Sequence, residues 1–329
     1  MLKPYSTARD EAGECYSIYL DANENPYNNG YNRYPDPHQK ELKSLLSEIK
    51  RVPAEKIFIG NGSDEAIDLL YRVFCVPGKD NVVAIAPTYG MYQVAASVND
   101  IEYREVQLNE DFTLDIERFL SKVDTNTKLL FLCSPNNPTG NRFVTKDILY
   151  LLENFMGIVI VDEAYIDFAV NDSIVSYIEK YENLVILQTL SKAFGLAGLR
   201  VGLAFACKEI IGYFNKVKYP YNVNVESQRI AMDVLQQGVK NEVSEIVSQR
   251  AILAEILEGI PVVKNVFRSE ANFLLVKFEN PGEIYKILSA NSVVVRNRSM
   301  VKGCEGCLRI TVGTPQENAV VIKLLKNLN

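Results

Sequence analysis

Residues 183–206 read NLVILQTLSKAFGLAGLRVGLAFA, two apolar runs joined by a loop that carries a lysine. Similar short runs rich in Val, Ile and Leu occur upstream at residues 56–60, 81–86, 128–133 and 157–164. These runs are apolar on both faces, and amphipathic segments separate several of them. They therefore predict a parallel or mostly parallel sheet with helices on each side, which is an α/β fold.

The pattern changes after Pro220. A long helical stretch over about residues 225–258 is followed by short strands, one of them expected at residues 292–295, and by a final helix from about Pro315. This mixture predicts a smaller α+β unit. We therefore expect an irregular N-terminal arm at residues 1–35, a large domain at 36–220 and a small C-terminal domain at 221–329.

The composition excludes several classes of protein. The chain has 329 residues, of which 47% are hydrophobic and 23% charged, and its length suggests about two domains. Lys and Arg number 35 against 41 Asp and Glu, so the net charge is −6. This balance argues against a nucleic-acid partner or an anionic membrane surface. His38 is the single histidine, so multi-histidine metal sites are impossible and a Ser-His-Asp triad could only use His38.

No segment of the sequence indicates secretion or membrane insertion. Residues 1–14 are too polar for a signal peptide. The longest apolar stretch, about residues 155–161, is far shorter than a membrane span. Cys304 and Cys307 have the C-x-x-C spacing, but no second ligand pair accompanies them, so we expect no metal site. The sequence predicts a reduced, cytoplasmic protein with no membrane contact.

Lys192 is the first candidate for chemistry. It lies just past an apolar strand in TLSKAFG, residues 189–195, and small residues flank it. A lysine in this position could form a Schiff base with a carbonyl cofactor. The alternative is an ordinary loop lysine, since most lysines are exposed.

Polar side chains also follow two other strands. Asp162 closes the run GIVIV, and open parallel sheets bind ligands at the carboxyl ends of their strands. A carboxylate there could keep a heteroaromatic nitrogen protonated, with the hydroxyl of Tyr165 in reach of the same ligand. The alternative is that Asp162 caps the next segment. Asn137 follows another strand in SPNNPTG, where two prolines restrict the backbone and present its amide rigidly, although the segment could be a simple turn.

GNGSDE, residues 60–65, joins a strand to a helix. Small residues followed by the free amides of a helix N-terminus can bind a phosphate, although Ser63 could equally be an N-cap. Arg200 could add a positive charge and Ser191 a hydroxyl to the same phosphate.

Two aromatic and three cationic residues could complete a site. Tyr89, at the end of the strand in residues 81–86, could stack on a planar cofactor, whereas core packing is the favoured interpretation for Tyr92. Arg309 lies inside an apolar strand and needs an anionic partner there. Arg296 and Arg298 are nearby candidates for a second contact. A structural salt bridge is the alternative for each, and it is the favoured one for Arg298.

Four motifs in a fixed order resemble the fold-type I pyridoxal-phosphate aminotransferases, and the histidinol-phosphate aminotransferase family in particular. The motifs are SPNNPTG, VDEAYIDF, TLSKAFGLAGLRVG and LRITVG. The resemblance runs from Pro4-Tyr5 and LDANENP, residues 20–26, to LRITVGTPQEN, residues 308–318. It implies a mostly parallel seven-stranded sheet flanked by helices, with a smaller α+β domain.

The resemblance also implies a role for each candidate. Lys192 would bind pyridoxal 5'-phosphate covalently and carry the proton during catalysis. The other cofactor-binding residues would be Asp162, Tyr165, Asn137 and Tyr89 at the ring and Ser63, Asp64, Ser191 and Arg200 at the phosphate, joined by Tyr34 of a neighbouring subunit in a homodimer. The substrate-binding residues would be Tyr5, Arg296 and Arg309.

The activity implied by the resemblance is transamination of L-histidinol phosphate with 2-oxoglutarate, giving imidazole-acetol phosphate and L-glutamate. The nearest alternative is an aminotransferase of the same branch that uses aromatic amino acids or alanine. A second is a phosphothreonine decarboxylase, which the release of carbon dioxide would distinguish. A third, a non-catalytic pyridoxal-binding regulator, gains little support from an acidic chain with no additional domain.

Overall fold

Two β-sheets organise the residues that the computed structural model describes, 17–169 and 173–328. The strands of the larger sheet are β1 (Ile57–Asn61), β2 (Asn81–Ala86), β3 (Glu102–Gln107), β4 (Thr127–Cys133), β5 (Ile158–Asp162), β6 (Leu184–Thr189) and β7 (Val201–Phe205). Those of the smaller sheet are β8 (Val263–Val266), β9 (Phe273–Phe278), β10 (Arg296–Asn297) and β11 (Cys307–Thr311). The orders are β1-β7-β6-β5-β4-β2-β3 and β10-β11-β9-β8.

Helices cover both faces of the larger sheet and one face of the smaller. The α-helices of the described residues are α1 (Lys40–Lys50), α2 (Ser63–Phe74), α3 (Met91–Val98), α4 (Ile116–Leu120), α5 (Thr145–Asn154), α6 (Lys208–Val217), α7 (Val225–Gln237), α8 (Lys240–Glu258), α9 (Pro281–Ala290) and α10 (Pro315–Lys326). None of these helices is long and apolar enough to cross a membrane.

The larger sheet is mostly parallel, as the sequence predicted. Strands β2 to β6 run parallel to one another, and β7 runs antiparallel to both β6 and β1. Strands β2 and β6 are buried along their whole length, because helices pack on both faces. The prediction of a seven-stranded α/β fold is therefore confirmed.

Alternation along the strands separates two cores. In β1, Ile57 and Ile59 contribute to one apolar cluster and Phe58 to the cluster on the opposite face. Strand β11 alternates in the same way, since Leu308 and Ile310 are buried in the core of the smaller sheet. Arg309 lies between them and therefore points to the opposite face of that sheet.

The structure differs from the sequence predictions at three places. The strand expected at residues 292–295 is absent, and β10 forms instead at Arg296–Asn297, where it pairs with β11. The helical stretch 225–258 is two helices, because Gly238 adopts a positive φ of 72° between them. Strand β3 was missed because EYREVQ lies at the sheet edge and carries charges instead of an apolar alternation.

The division into domains stays a prediction. The described part of the arm, residues 17–35, contains bends without a helix or strand. Helix α7 follows the expected boundary at residue 220, yet it packs against α1 of the preceding segment.

Candidate active site

A cavity of about 510 Å³ lies between the carboxyl ends of the large-sheet strands and the β10–β11 pair. Eleven of the predicted site residues line it: Ser63, Asp64, Tyr89, Asn137, Asp162, Tyr165, Ser191, Lys192, Arg200, Arg296 and Arg309. Its volume is that of a typical small-molecule site. The fold therefore brings together residues that lie up to about two hundred and fifty positions apart in sequence.

Two predicted site residues are not among those that line the cavity. The side chain of Tyr34 is 51% exposed, and its ring stacks on that of Tyr221 with centroids 4.5 Å apart. Tyr5 lies outside the described residues.

Asp162 ends β5 and is only 2% exposed. Its Oδ2 accepts a hydrogen bond from the Tyr92 hydroxyl at 2.7 Å, and its Oδ1 accepts one from the Ala164 N–H at 3.0 Å. Burial raises the pKa of Asp162 to about 6, although these two hydrogen bonds act to lower it. A buried carboxylate with only neutral hydrogen-bond partners favours a cationic ligand, such as a protonated ring nitrogen.

Tyr92 contacts a site residue from the core, and the sequence interpretation missed this contact. Its ring is fully buried, as expected for a core residue, but its hydroxyl donates to Asp162. Tyr92 lies one helical turn after Tyr89, and the two rings meet edge to face with centroids 5.6 Å apart. This spacing of three residues directly after a strand was the available signal.

Lys192 follows β6 and is open to the solvent of the cavity. Its Nζ lies 5.6 Å from the centroid of the Tyr165 ring. Partial burial and the charges of Arg309 and Arg200 lower the pKa of Lys192. The shift favours the neutral amine, which is the nucleophilic form.

A chain of hydrogen bonds links the two sheets across the cavity. The Asn137 amide donates to the Tyr165 hydroxyl at 3.4 Å, and its carbonyl oxygen accepts from Arg309 Nη1. The Arg309 guanidinium also lies over the Phe273 ring, 5.1 Å from its centroid. Asn137 is therefore held between a residue of the large sheet and a cation of the small one.

The start of α2 provides a seat for an anion. Gly62 precedes it with a positive φ of 73°. A Cβ on Gly202 would lie 2.0 Å from the Gly62 carbonyl carbon, so the start of the helix packs directly against β7. Gly62, not Ser63, occupies the N-cap, so the N-cap interpretation of Ser63 is wrong. The first amides of the helix are free to bind a phosphate.

Arg200 lies beside this helix end. Its Nη2 is 3.4 Å from Asp64 Oδ2, and its Nη1 donates to Ser191 Oγ at 3.5 Å. The Tyr89 hydroxyl donates to Asp64 Oδ1 at 3.0 Å. These contacts hold a guanidinium at the same end of the cavity as the α2 amides, as a phosphate site requires.

The salt bridge expected for Arg298 is not observed. Arg298 lines the cavity with Arg296 and Arg309, and none of the ion pairs between described residues includes it. The physical reason is its position on the β10–β11 face, where the neighbouring charges are arginines and not carboxylates.

The cavity carries no cluster of metal ligands. Within residues 17–169 and 173–328, no group of three His, Cys, Asp or Glu side chains could hold a metal ion. Cys304 and Cys307 are buried free thiols, and burial raises the pKa of Cys304 to about 12.

The set of groups fits pyridoxal 5'-phosphate. The cavity holds one lysine amine, a buried carboxylate for a ring nitrogen, a tyrosine ring and a helix N-terminus next to an arginine. Each is the partner that one part of this cofactor needs.

Comparison with known proteins leads to the same class. Residues 10–325 match the family described as "Aminotransferase class I and II". The chain therefore belongs to the class I and II aminotransferases and is a pyridoxal-phosphate-dependent enzyme with small-molecule substrates. Within that family, it is 53% identical over 328 residues to a histidinol-phosphate aminotransferase of Bacteroides fragilis (strain YCH46), covering 99% of this chain and 95% of that protein. This confirms the histidinol-phosphate aminotransferase family as the one that the sequence motifs resemble.

Solved structures share the fold. The histidinol-phosphate aminotransferase from Clostridium acetobutylicum aligns with a TM-score of 0.83 and 25% identity over 90% of each chain. The L-threonine-O-3-phosphate decarboxylase from Porphyromonas gingivalis aligns with a TM-score of 0.77 and 24% identity over 90% of each chain. The second likeness is one of fold alone.

Proposed function

We propose that this enzyme transfers the amino group of L-histidinol phosphate to 2-oxoglutarate, giving imidazole-acetol phosphate and L-glutamate in histidine biosynthesis. The observation that carries the proposal is the arginine-rich wall opposite Lys192. Arg309 and Arg296 line the cavity there, and both substrates bear an anionic group near the reacting carbon. The identity to histidinol-phosphate aminotransferases supports the same assignment.

We propose that the large-sheet residues hold the cofactor. Asp162 would bind the ring nitrogen, Tyr165 and Asn137 the ring oxygen, and Tyr89 one face of the ring. The phosphate would be bound by Ser63, Asp64, Ser191 and Arg200, the first two through backbone amides. The bound cofactor supplies an electron sink that stabilises negative charge on the substrate carbon bearing the amino group.

Lys192 would transfer the proton of the substrate carbon that bears the amino group. Its lowered pKa favours the neutral amine, so Nζ can accept a proton from the substrate carbon and return it to the next acceptor position. No other lysine is among the residues that line the cavity in the described part of the chain.

Arg309 would bind the substrate anion, which is a carboxylate of glutamate or the phosphate of histidinol phosphate. It is held by Asn137 and lies over Phe273, so its guanidinium is positioned before substrate arrives. Arg296 would assist with the phosphate. Tyr5, outside the described residues, would cover the site from the arm.

A single-turnover experiment tests the substrate. The cofactor-loaded enzyme would be mixed in turn with histidinol phosphate, glutamate, phosphothreonine and phenylalanine, and cofactor absorbance would be followed. We expect rapid conversion to the amine form of the cofactor with histidinol phosphate and glutamate, and slow conversion with phenylalanine. An unchanged spectrum with histidinol phosphate, while another amine converts the cofactor, would show that the substrate is different. Carbon dioxide released from phosphothreonine would indicate a decarboxylase.

We also propose that the enzyme is a cytoplasmic homodimer in which Tyr34 reaches the cofactor phosphate of the partner subunit. The supporting observation is that Tyr34 is exposed, outside the cavity, on a segment with several other exposed large apolar side chains. These are Ile18, Leu20, Tyr27 and Tyr31. Exposed apolar groups concentrated in one segment favour a protein interface.

Mixed dimers test the shared site. Lys192→Ala and Tyr34→Ala chains are each expected to have low activity, but each hybrid dimer would contain one intact site. Random re-assortment of equal amounts should restore about a quarter of wild-type activity. The control is the same mixture without subunit exchange. Sedimentation as a monomer, or no recovery despite proven hybrids, would contradict the proposal.

A further inference from the structure

Three arginines project from one face of the β10–β11 pair. Arg296 lies directly opposite Arg309 in the antiparallel register. The Arg298 N–H donates to the Cys307 carbonyl at 3.0 Å, which extends the pairing one step beyond β10. Because strand side chains alternate, Arg296 and Arg298 share a face. All three arginines line the cavity.

This cluster has no internal counter-charge. No ion pair between described residues includes any of the three arginines. The Nε atoms of Arg298 and Arg309 are buried without a hydrogen-bond partner among the described residues. Burial and the charges of Arg309 and Arg296 lower the pKa of Arg298. Like charges directly opposite on paired strands are destabilising, so the cluster is suited to bind an anion.

The number of cations distinguishes between the possible anions. A carboxylate has one charge and two oxygens, which one guanidinium can bind in a bidentate manner. A phosphate monoester carries a charge of nearly −2 and three terminal oxygens. A third guanidinium, that of Arg298, is superfluous for a carboxylate already faced by Arg309 and Arg296, but it has an oxygen to bind on a phosphate.

We infer that Arg298 is a specificity-determining residue that binds the substrate's phosphate group and selects a phosphate monoester over a carboxylate at this end of the cavity. The inference rests on the proposed function, because the phosphate-bearing substrate is that of the proposed reaction. Arg309 would serve both substrates, whereas Arg298 would serve only the phosphorylated one.

The test compares Arg298→Gln with a matched control, Lys302→Gln. Lys302 is four residues further along and borders the adjacent groove with Arg298, but it is not among the residues that line the cavity. The control therefore removes a nearby positive charge without removing a guanidinium from the site. Arg298→Lys keeps the charge but loses the forked geometry.

The measurements are single-turnover kcat/KM for histidinol phosphate and for glutamate, and the inhibition constant of inorganic phosphate against the glutamate reaction. For Arg298→Gln, we expect kcat/KM to fall roughly 10-fold to 100-fold with histidinol phosphate, as for loss of a hydrogen bond to a charged group. The kcat/KM for glutamate should change by less than about threefold in Arg298→Gln. In Lys302→Gln, the kcat/KM values for both substrates should also change by less than about threefold. Arg298→Lys should recover part of the loss, and phosphate inhibition should weaken in parallel. A glutamate reaction within about threefold of wild type also shows that the variant is folded.

Equal losses for both substrates, or a loss in Lys302→Gln as large as in Arg298→Gln, would overturn the inference. Failure of the wild-type enzyme to convert histidinol phosphate would instead refute the proposed function. In that event, the inhibition constant of inorganic phosphate is measured with whichever amine substrate reacts, and it shows whether Arg298 binds phosphate. Inhibition that weakens about tenfold or more in Arg298→Gln supports its role, and equal inhibition of both enzymes rejects it.

Discussion

The two walls of the cavity, formed by the large sheet and by the β10–β11 pair, differ in how their charged side chains are paired. On the large-sheet wall, the carboxylates have protein partners: Asp162 accepts from the Tyr92 hydroxyl at 2.7 Å, and Asp64 lies 3.4 Å from Arg200. On the β10–β11 wall, Arg296, Arg298 and Arg309 form no ion pair with a described residue. The carboxylates of one wall are held by protein groups before a ligand binds, whereas the arginines of the other wall pair with no carboxylate of the described residues.

This difference supports the roles proposed for the two walls. Groups with protein partners keep a fixed geometry, which a permanently bound cofactor needs. Arginines without a carboxylate keep their charge for a ligand that arrives and leaves in each turnover. The contrast can be tested from both sides of the cavity.

Replacement of the large-sheet amine should have the largest effect. Lys192→Ala should lower kcat by roughly a thousandfold or more, because no second lysine lines the cavity in the described residues to move the proton. Single-turnover kinetics of the cofactor-loaded variant would measure it. Lys216→Ala, a change of an exposed lysine on α6, is the control and should be neutral. Substantial activity in Lys192→Ala would exclude the proposed role.

The second prediction concerns the buried carboxylate in the cofactor-free protein. The pKa of Asp162 is raised to about 6 in the folded state, from near 4 in the unfolded chain. The folded state therefore binds the proton more tightly, and ionisation destabilises it as pH rises from about 4 to about 6. Relative to Asp162→Asn, the wild-type protein should lose about 3 kcal/mol of unfolding free energy across that window.

Urea unfolding of both apoproteins at pH 4 and pH 7 would measure this change. The variant serves as the control, because all other titrating groups are common to the pair. A difference in stability that does not vary with pH would mean that Asp162 is not destabilised by burial.

The third prediction addresses the arginine wall. Arg309→Gln should lower kcat/KM roughly 10-fold to 100-fold for both histidinol phosphate and glutamate, because both anions lose a charged hydrogen bond. The affinity for the cofactor, measured by its absorbance on dialysis, should stay within about threefold of wild type. If Arg309→Gln lost the cofactor without a change in substrate binding, the β10–β11 wall would bind the cofactor and not the substrate.

The smallest effect is expected at Arg296. This side chain is exposed, whereas Arg309 is half-buried and held by Asn137. Solvent screens an exposed charge, so Arg296→Gln should reduce kcat/KM for histidinol phosphate by only about threefold to fivefold. The single-turnover kcat/KM for histidinol phosphate would measure it, with Arg309→Gln as the reference. An effect larger than that of Arg309→Gln would identify Arg296 as the principal anion contact.

Several elements could be predicted because their signal is local. Strand β2, Asn81–Ala86, has the predicted bounds, since an uninterrupted apolar run is what a strand buried on both faces requires. The edge strand β3 has one face open to solvent and could not be found from its charged sequence. Strand β10 is only two residues long, and its position follows from pairing with β11 and not from its own composition.

For the candidate site, the sequence by itself determined which residues of the large sheet meet at the cavity, because the strands of a parallel sheet end at one edge and the polar residues follow those ends. Lys192 and Asp162 are both of this kind. Only the tertiary structure decided which charges are satisfied. The partner of Asp162 is 70 residues away and that of Arg309 is 172 residues away. The first pairing depends on how α3 packs on the large sheet and the second on how the two sheets pack, and no local pattern records either.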